Sequence, residues 1–225
     1  RQSPFCAFII VLFFFGFNLI SQYNIHSPLS VVVTLPEWTT KFYNERKNNI
    51  YTDDKEMMRV AMELSKVNID NETGGPFGTA IFEYNPNTNE SKLFSLGVNR
   101  VVPLCNSTLH GEMTAIQFGQ QRINNFSFAG AGSAAQGNKQ YHLYTSAAPC
   151  CQCLGGIMWS GVSKLVCGAT KDDVESIGFH EGPVFDPMSY DALEDAGCTV
   201  VREVLREECA EVLQYYKQHG EIYNP

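Results

Sequence analysis

Between Gln2 and Pro36 the chain has no Asp, Glu, Lys or Arg. Elsewhere no run of Lys or Arg exceeds two residues, and 16 basic residues stand against 24 acidic ones, a formal charge of −8. A chain with that balance repels phosphate backbones, so no nucleic-acid partner is expected. Eight cysteines in 225 residues are too few for a disulfide-built miniprotein. There is no second C-x-x-C beside the one at Cys150–Cys153, because Cys105, Cys167, Cys198 and Cys209 are scattered. That spacing excludes a four-cysteine zinc knuckle. Internal repeats and low-complexity linkers are also missing, which excludes solenoids and disordered tails. With 44% hydrophobic and 18% charged residues, what remains is a globular chain of one domain's size.

The uncharged head has its own reading. Phe5–Ile20 is apolar except for one Asn, with Arg1 as the only positive charge before it. This is the pattern of a signal-peptide core or a short membrane anchor, although about 16 residues fall short of a comfortable bilayer span. Residues 1–34 are therefore expected to form a targeting segment, with membrane contact through residues 5–20, and residues 35–225 the functional domain. Sequons at Asn71, Asn89, Asn106 and Asn125 lend mild support to a secretory route, secreted or anchored. Asn71 and Asn89, on polar loops, are the expected glycan carriers. The alternative location is the cytoplasm.

Past Leu35 the periodicity alternates. Helices are expected over Asp53–Val67, Leu109–Arg122, Pro149 to about Ser160, Tyr190–Ala196 and Arg206–His219. Strands are expected over Thr79–Tyr84, Lys92–Val98, Tyr141–Ser146, Lys164–Ala169 and Cys198–Val204. Alternating elements of this kind indicate a layered α/β domain whose later half is largely parallel.

Two segments carry chemistry. His110-Gly111-Glu112 opens one helix, and 38 residues after Glu112, Pro149-Cys150-Cys151-Gln152-Cys153 joins a strand to another. Cys150 and Cys153 are three apart, so one helical turn puts both sulfurs on the same side. One imidazole and two thiolates suit Zn²⁺ and leave a fourth position open for water. The positive end of the helix favours thiolate at Cys150. Glu112, two residues past the His, can exchange protons beside the metal without binding it. Cys151 should point away from the ligand set. A purely structural zinc site in a secreted, non-catalytic protein is the reading from a different class. It leaves Glu112 without a purpose.

The pattern H-x-E…P-C-x-x-C is the signature of zinc nucleobase deaminases. Through it, and through GGPFG (74–78), GVNRV (97–101), STLHGEMTAI (107–116) and SAAPCCQCLGGIMWSGVSKLVCGA (146–169), the chain resembles the cytidine-deaminase-like superfamily. Within it the chain looks most like the guanine deaminase and nucleoside deaminase branch. The resemblance covers nearly all of residues 53–225. It departs at Gly111, where Ala is usual, and at Ala148, where Glu often precedes the Pro-Cys.

The resemblance implies a three-layer α/β fold, a five-stranded mixed sheet sandwiched by helices. It implies zinc held by His110, Cys150 and Cys153, with Glu112 as the proton carrier in hydrolytic deamination. Asn99 matches the family's base-holding Asn, and Phe77 a position near the bound base. Glu181, in Gly178-Phe179-His180-Glu181, matches an acidic residue that contacts the purine and assists proton transfer. The substrate is expected to be a guanine-like base or nucleoside, as in purine metabolism, and the assembly a homodimer. Cytidine or deoxycytidylate deaminases and tRNA adenosine deaminases are the rivals within the class.

Overall fold

A strand that follows Gly74-Gly75-Pro76 cannot continue the helix before it, so the chain turns there into its sheet. The computed structural model describes residues 30–130 and 138–224. In chain order the elements are α1 (Trp38–Arg46), α2 (Asp54–Asp70), β1 (Gly78–Asn85), β2 (Glu90–Val98), α3 (Gly111–Ile123), β3 (Gln140–Ala147), α4 (Cys151–Ser160), β4 (Lys164–Ala169), α5 (Lys171–Ile177), α6 (Met188–Asp195), β5 (Thr199–Val201) and α7 (Arg206–His219). Leu35–Pro225 forms one compact unit. Of Arg1–Thr34, the described residues 30–34 contain no helix or strand. The apolar segment 5–20 lies outside the described residues. Among the described residues no helix is long and apolar enough to cross a membrane.

The five strands form one sheet in the order β2-β1-β3-β4-β5. β1 pairs antiparallel with β2 and β3, while β3, β4 and β5 run parallel. This is the five-stranded mixed sheet that the family resemblance implies, with the parallel later half that the sequence pattern indicates. Parallel neighbours need a crossover between them, and α4 supplies it from β3 to β4.

The central strands β1, β3 and β4 bury both faces, so alternate residues feed two cores. Phe82, Tyr144 and Val166 pack under α2, α5 and α7. Ile81, Leu143, Leu165 and Cys167 pack under α3, α4 and α6. Helices on both sides give the expected three layers. The side chain of Asp53 caps α2 by accepting from the backbone N–H of Lys55 at 3.0 Å. Met57, Met58, Ala61, Leu64 and Ser65 of α2 all face the core. Truncating a fully buried leucine such as Leu64 to Ala costs roughly 2–5 kcal/mol.

The sequence reading omits α1 and α5. α5 has a capping box, with Thr170 and Asp173 bonded reciprocally, which is a legible signal in Thr-x-x-Asp. α1 buries only Thr39 and Phe42, too few positions for a periodic stripe. β5 is shorter than expected because Glu203 and Leu205 adopt left-handed backbone conformations, with φ of 63° and 53°.

Candidate active site

Two helix starts meet at one place. The backbone of β2 approaches α3 so closely at Gly97 that a Cβ there would lie 2.3 Å from the Gly111 carbonyl. Only glycine permits that contact. It sets the first turn of α3, and with it His110 and Glu112, against the sheet. β3 runs through Ala147 to Pro149 and delivers Cys150 and Cys153 at the opening of α4.

His110, Cys150 and Cys153 present ligand atoms that all lie within 4.8 Å of one another. His110 Nδ1 is 3.4 Å from Cys150 Sγ and 3.5 Å from Cys153 Sγ. Zinc with Zn–S near 2.3 Å and Zn–N near 2.05 Å in tetrahedral angles requires a nitrogen–sulfur edge of about 3.6 Å. The three side chains fit zinc as they stand. Cys151 is exposed and outside this cluster.

The charges at the site are strongly coupled. The hydrogen bond from Cys153 holds the Cys150 thiol down to about 4, against burial and with help from His110. Burial depresses His110, but its partnership with Cys150 and the nearby carboxyls prevails, and its pKa rises. Burial pushes the Glu112 carboxyl up, and the Cys150 charge adds to this. Glu112 is oriented by two neighbours. Thr145 donates its hydroxyl to Oε1 at 3.1 Å, and Cys153 Sγ lies 3.3 Å from Oε2. Thr79 in turn donates to Thr145 at 3.3 Å. Sequence reasoning misses Thr145, because a threonine inside a strand looks like an ordinary β-former.

Of the other residues singled out in the sequence, Glu181 lies beside this centre. Glu181 is buried, and its backbone carbonyl accepts from Cys151 N–H at 3.0 Å. Burial first, then the charges of Cys150 and Glu112, push its carboxyl up to about 8. Asn99 is buried, and its Oδ1 accepts from Val101 N–H at 3.2 Å. Its own N–H donates to the Phe77 carbonyl at 3.0 Å. Phe77 meets Phe179 edge to face at 5.2 Å, and Phe179 packs on Tyr216 and Tyr223. Tyr223 is a further residue that the sequence reading passes over. Its hydroxyl lies beside the Asn99 side chain, and a Cβ on Gly75 would come within 2.3 Å of it.

Comparison with known proteins agrees with this geometry. Residues 51–169 match the cytidine and deoxycytidylate deaminase zinc-binding region. The solved structure of guanine deaminase from Nitrosomonas europaea is 33% identical, covers 86% of this chain and 99% of its own, and has a TM-score of 0.73. A variant of the protein NE0047 in complex with 8-azaguanine is 34% identical over 85% of this chain and 98% of its own, with a TM-score of 0.74. The tRNA-specific adenosine deaminase of Haemophilus influenzae is 29% identical, over 73% of this chain and 83% of its own. The matched span 51–169 contains the three converging ligands and the carboxyl beside them, and this chain belongs to the cytidine and deoxycytidylate deaminase family.

Proposed function

We propose that this chain hydrolyses the amino group of a guanine-like purine, releasing ammonia and leaving a carbonyl whose oxygen comes from water. The observation that carries the reading is the pair of buried carboxyls, Glu112 and Glu181, beside the His110–Cys150–Cys153 cluster. Zinc held there supplies Lewis-acid activation of water. Glu112 takes one proton of the attacking water and passes it to a ring nitrogen, then carries the remaining hydroxyl proton of the adduct to the departing amine, which leaves as ammonia. Burial raises its pKa, which makes the carboxylate a stronger proton acceptor than an exposed glutamate. Glu181, with a pKa of about 8, carries a proton at neutral pH and can donate it to the purine. Asn99 grips the edge of the base, and Phe77 forms part of an aromatic wall with Phe179. Two features support a guanine-like substrate over cytidine. One is the likeness to a guanine deaminase across 86% of the chain. The other is the presence of an acidic residue at Glu181.

The homodimer and the secretory route are part of the same proposal. Trp159 and Phe126 are 83% and 84% exposed. The hydrogen bond from Phe128 N–H to the Ser160 carbonyl, at 2.7 Å, sets their two segments side by side. Such an apolar patch suits a second copy of the chain. For the secretory route, Asn71 and Asn89 are both exposed, as glycan acceptors must be. A gel shift on N-glycosidase treatment checks it.

Ammonia release from guanine, guanosine, ammeline, adenine and cytidine, measured in parallel, tests the reaction. Guanine or a close analogue is expected to be the preferred substrate, and turnover of cytidine alone overturns the assignment.

A further inference from the structure

Asn68 lies in the last turn of α2 and is fully buried, at 0% exposure. A buried amide must find partners for both of its ends. Asn68 Nδ2 donates to two carbonyls from different loops, Gly75 at 2.9 Å and Asn99 at 3.2 Å. One loop leads to Phe77, and the other carries Asn99. Asn68 Oδ1 accepts from the Thr73 hydroxyl at 2.8 Å, and that hydroxyl accepts from Trp38 Nε1 of α1 at 3.0 Å. Arg100 Nη1 also donates to the Thr73 carbonyl. The chain of bonds therefore runs from α1 through Thr73 and Asn68 to the backbone of Asn99.

Asn68 is not needed to end its helix. The C-cap is Asn71, whose N–H and side-chain amide both bond to the Val67 carbonyl. The carbonyl of Asn68 itself is satisfied by Thr73 N–H at 3.0 Å. What the Asn68 side chain adds is a buried side-chain link between the two loops. The Asn99 N–H to the Phe77 carbonyl and Arg100 Nη1 to the Thr73 carbonyl also join them, and the backbones touch, since a Cβ on Gly74 would lie 1.9 Å from the Asn99 carbonyl.

We propose that Asn68 is a positioning residue for Asn99, and that α1 and Thr73 hold it in register. The inference rests on the reading of Asn99 as the residue that grips the base. Removing the Asn68 amide leaves the buried Asn99 carbonyl without its donor, while the Gly75 carbonyl keeps the Phe77 N–H at 2.9 Å, so it is the Asn99 loop that must shift to find water or another partner. A looser grip on the base that is the same in ground and transition states raises KM and changes kcat little.

The test uses the full chain with Asn68→Ala, Thr73→Val and Val60→Ala. Val60 is buried on the same helix, two turns earlier, and serves as a control for lost stability. For Asn68→Ala, KM for guanine is expected to rise about tenfold with kcat within threefold and zinc content unchanged; Thr73→Val should show a smaller rise. Val60→Ala should lower Tm and leave KM alone. Amide hydrogen exchange over residues 97–104 should speed up in Asn68→Ala and not in Val60→Ala, and this readout needs no substrate. Wild-type exchange there together with wild-type KM in a folded Asn68→Ala overturns the inference, and so does an equal change in Val60→Ala. Should Asn68→Ala not fold, the same two readouts on Thr73→Val decide. A wild-type protein that leaves guanine untouched counts against the proposed reaction, and the exchange measurement still decides the role of Asn68.

Discussion

Glu112 occupies a place where an ionised carboxylate is costly: it is buried and lies near the Cys150 thiolate. It is kept there, and kept in one orientation, by the hydroxyl of Thr145. Glu112→Gln preserves shape and cannot carry the proton. It should retain zinc by metal analysis while turnover falls by about 10²–10⁴, the usual range for a lost general base or acid. Thr145→Val removes one hydrogen bond, worth about 1 kcal/mol, so kcat should fall about fivefold to tenfold at unchanged zinc content. Equal ammonia release from Glu112→Gln and wild type would remove the catalytic role and leave a binding protein. The motif His-x-Glu identifies the carboxylate in the sequence. Its Thr145 support comes from a strand that enters the site 33 residues later, and no local spacing announces it.

The active-site elements are aligned by backbone contact more than by side chains. α3 lies on β2 at Gly97, where a Cβ would also press within 2.3 Å of the Ala115 N–H. Gly97→Ala must therefore push the start of α3 away from the sheet. Tm should fall by several degrees and zinc content should drop below one per chain, because His110 moves relative to Cys150 and Cys153. Full zinc occupancy in a folded Gly97→Ala protein would show that the helix can shift without loss of the cluster. Helices with a wide apolar stripe or a strong cap, such as α2 and α7, are visible in the sequence. α1 is not, because it buries only two residues and is held by contacts to distant positions, the Trp38 indole N–H to Thr73, Arg46 to Glu63 and Tyr43 to Arg122.

Across the whole molecule, the side of the sheet facing α2 carries a second polar cluster, far simpler than the site. Asp54 accepts from Tyr144 at 2.6 Å and from Lys164 at 2.7 and 2.8 Å, tying the start of α2 to β3 and β4. Next to it His142 is buried and stacked on Tyr84 at 4.6 Å. Burial first, then the Lys164 charge, lower the His142 pKa to about 4. An unfolded histidine titrates near 6.5, so between those values the unfolded state binds a proton that the folded state refuses. The stability that neutral His142 contributes is thus present above pH 6.5 and lost as the pH falls toward 4. Asp54, held below its usual range by Lys164 and Tyr144 against burial, loses stability in the same direction at lower pH. Denaturant titrations at pH 7 and 4.5 should show wild type losing about 2 kcal/mol more than His142→Gln. Parallel losses in the two proteins would discard the role of His142.

The sequence by itself determined the chemistry and the class of fold. His110, Glu112, Cys150 and Cys153 sit at helix starts with spacings that only a metal-and-carboxylate site explains, and alternating periodicity sets an α/β sandwich. Such features are local, and local geometry is written in short-range spacing. Tertiary structure alone decided how the loops of Phe77 and Asn99 are joined, how Glu181 comes beside that centre, and which residues hold them. Thr145, Asn68 and Thr73 act across sequence separations of 5 to 35, and Tyr223 reaches Asn99 from farther along the chain, through contacts formed only once the sheet has closed. A buried asparagine or a strand threonine carries no periodicity of its own. Its meaning comes from the carbonyl or carboxylate that folding places in front of it.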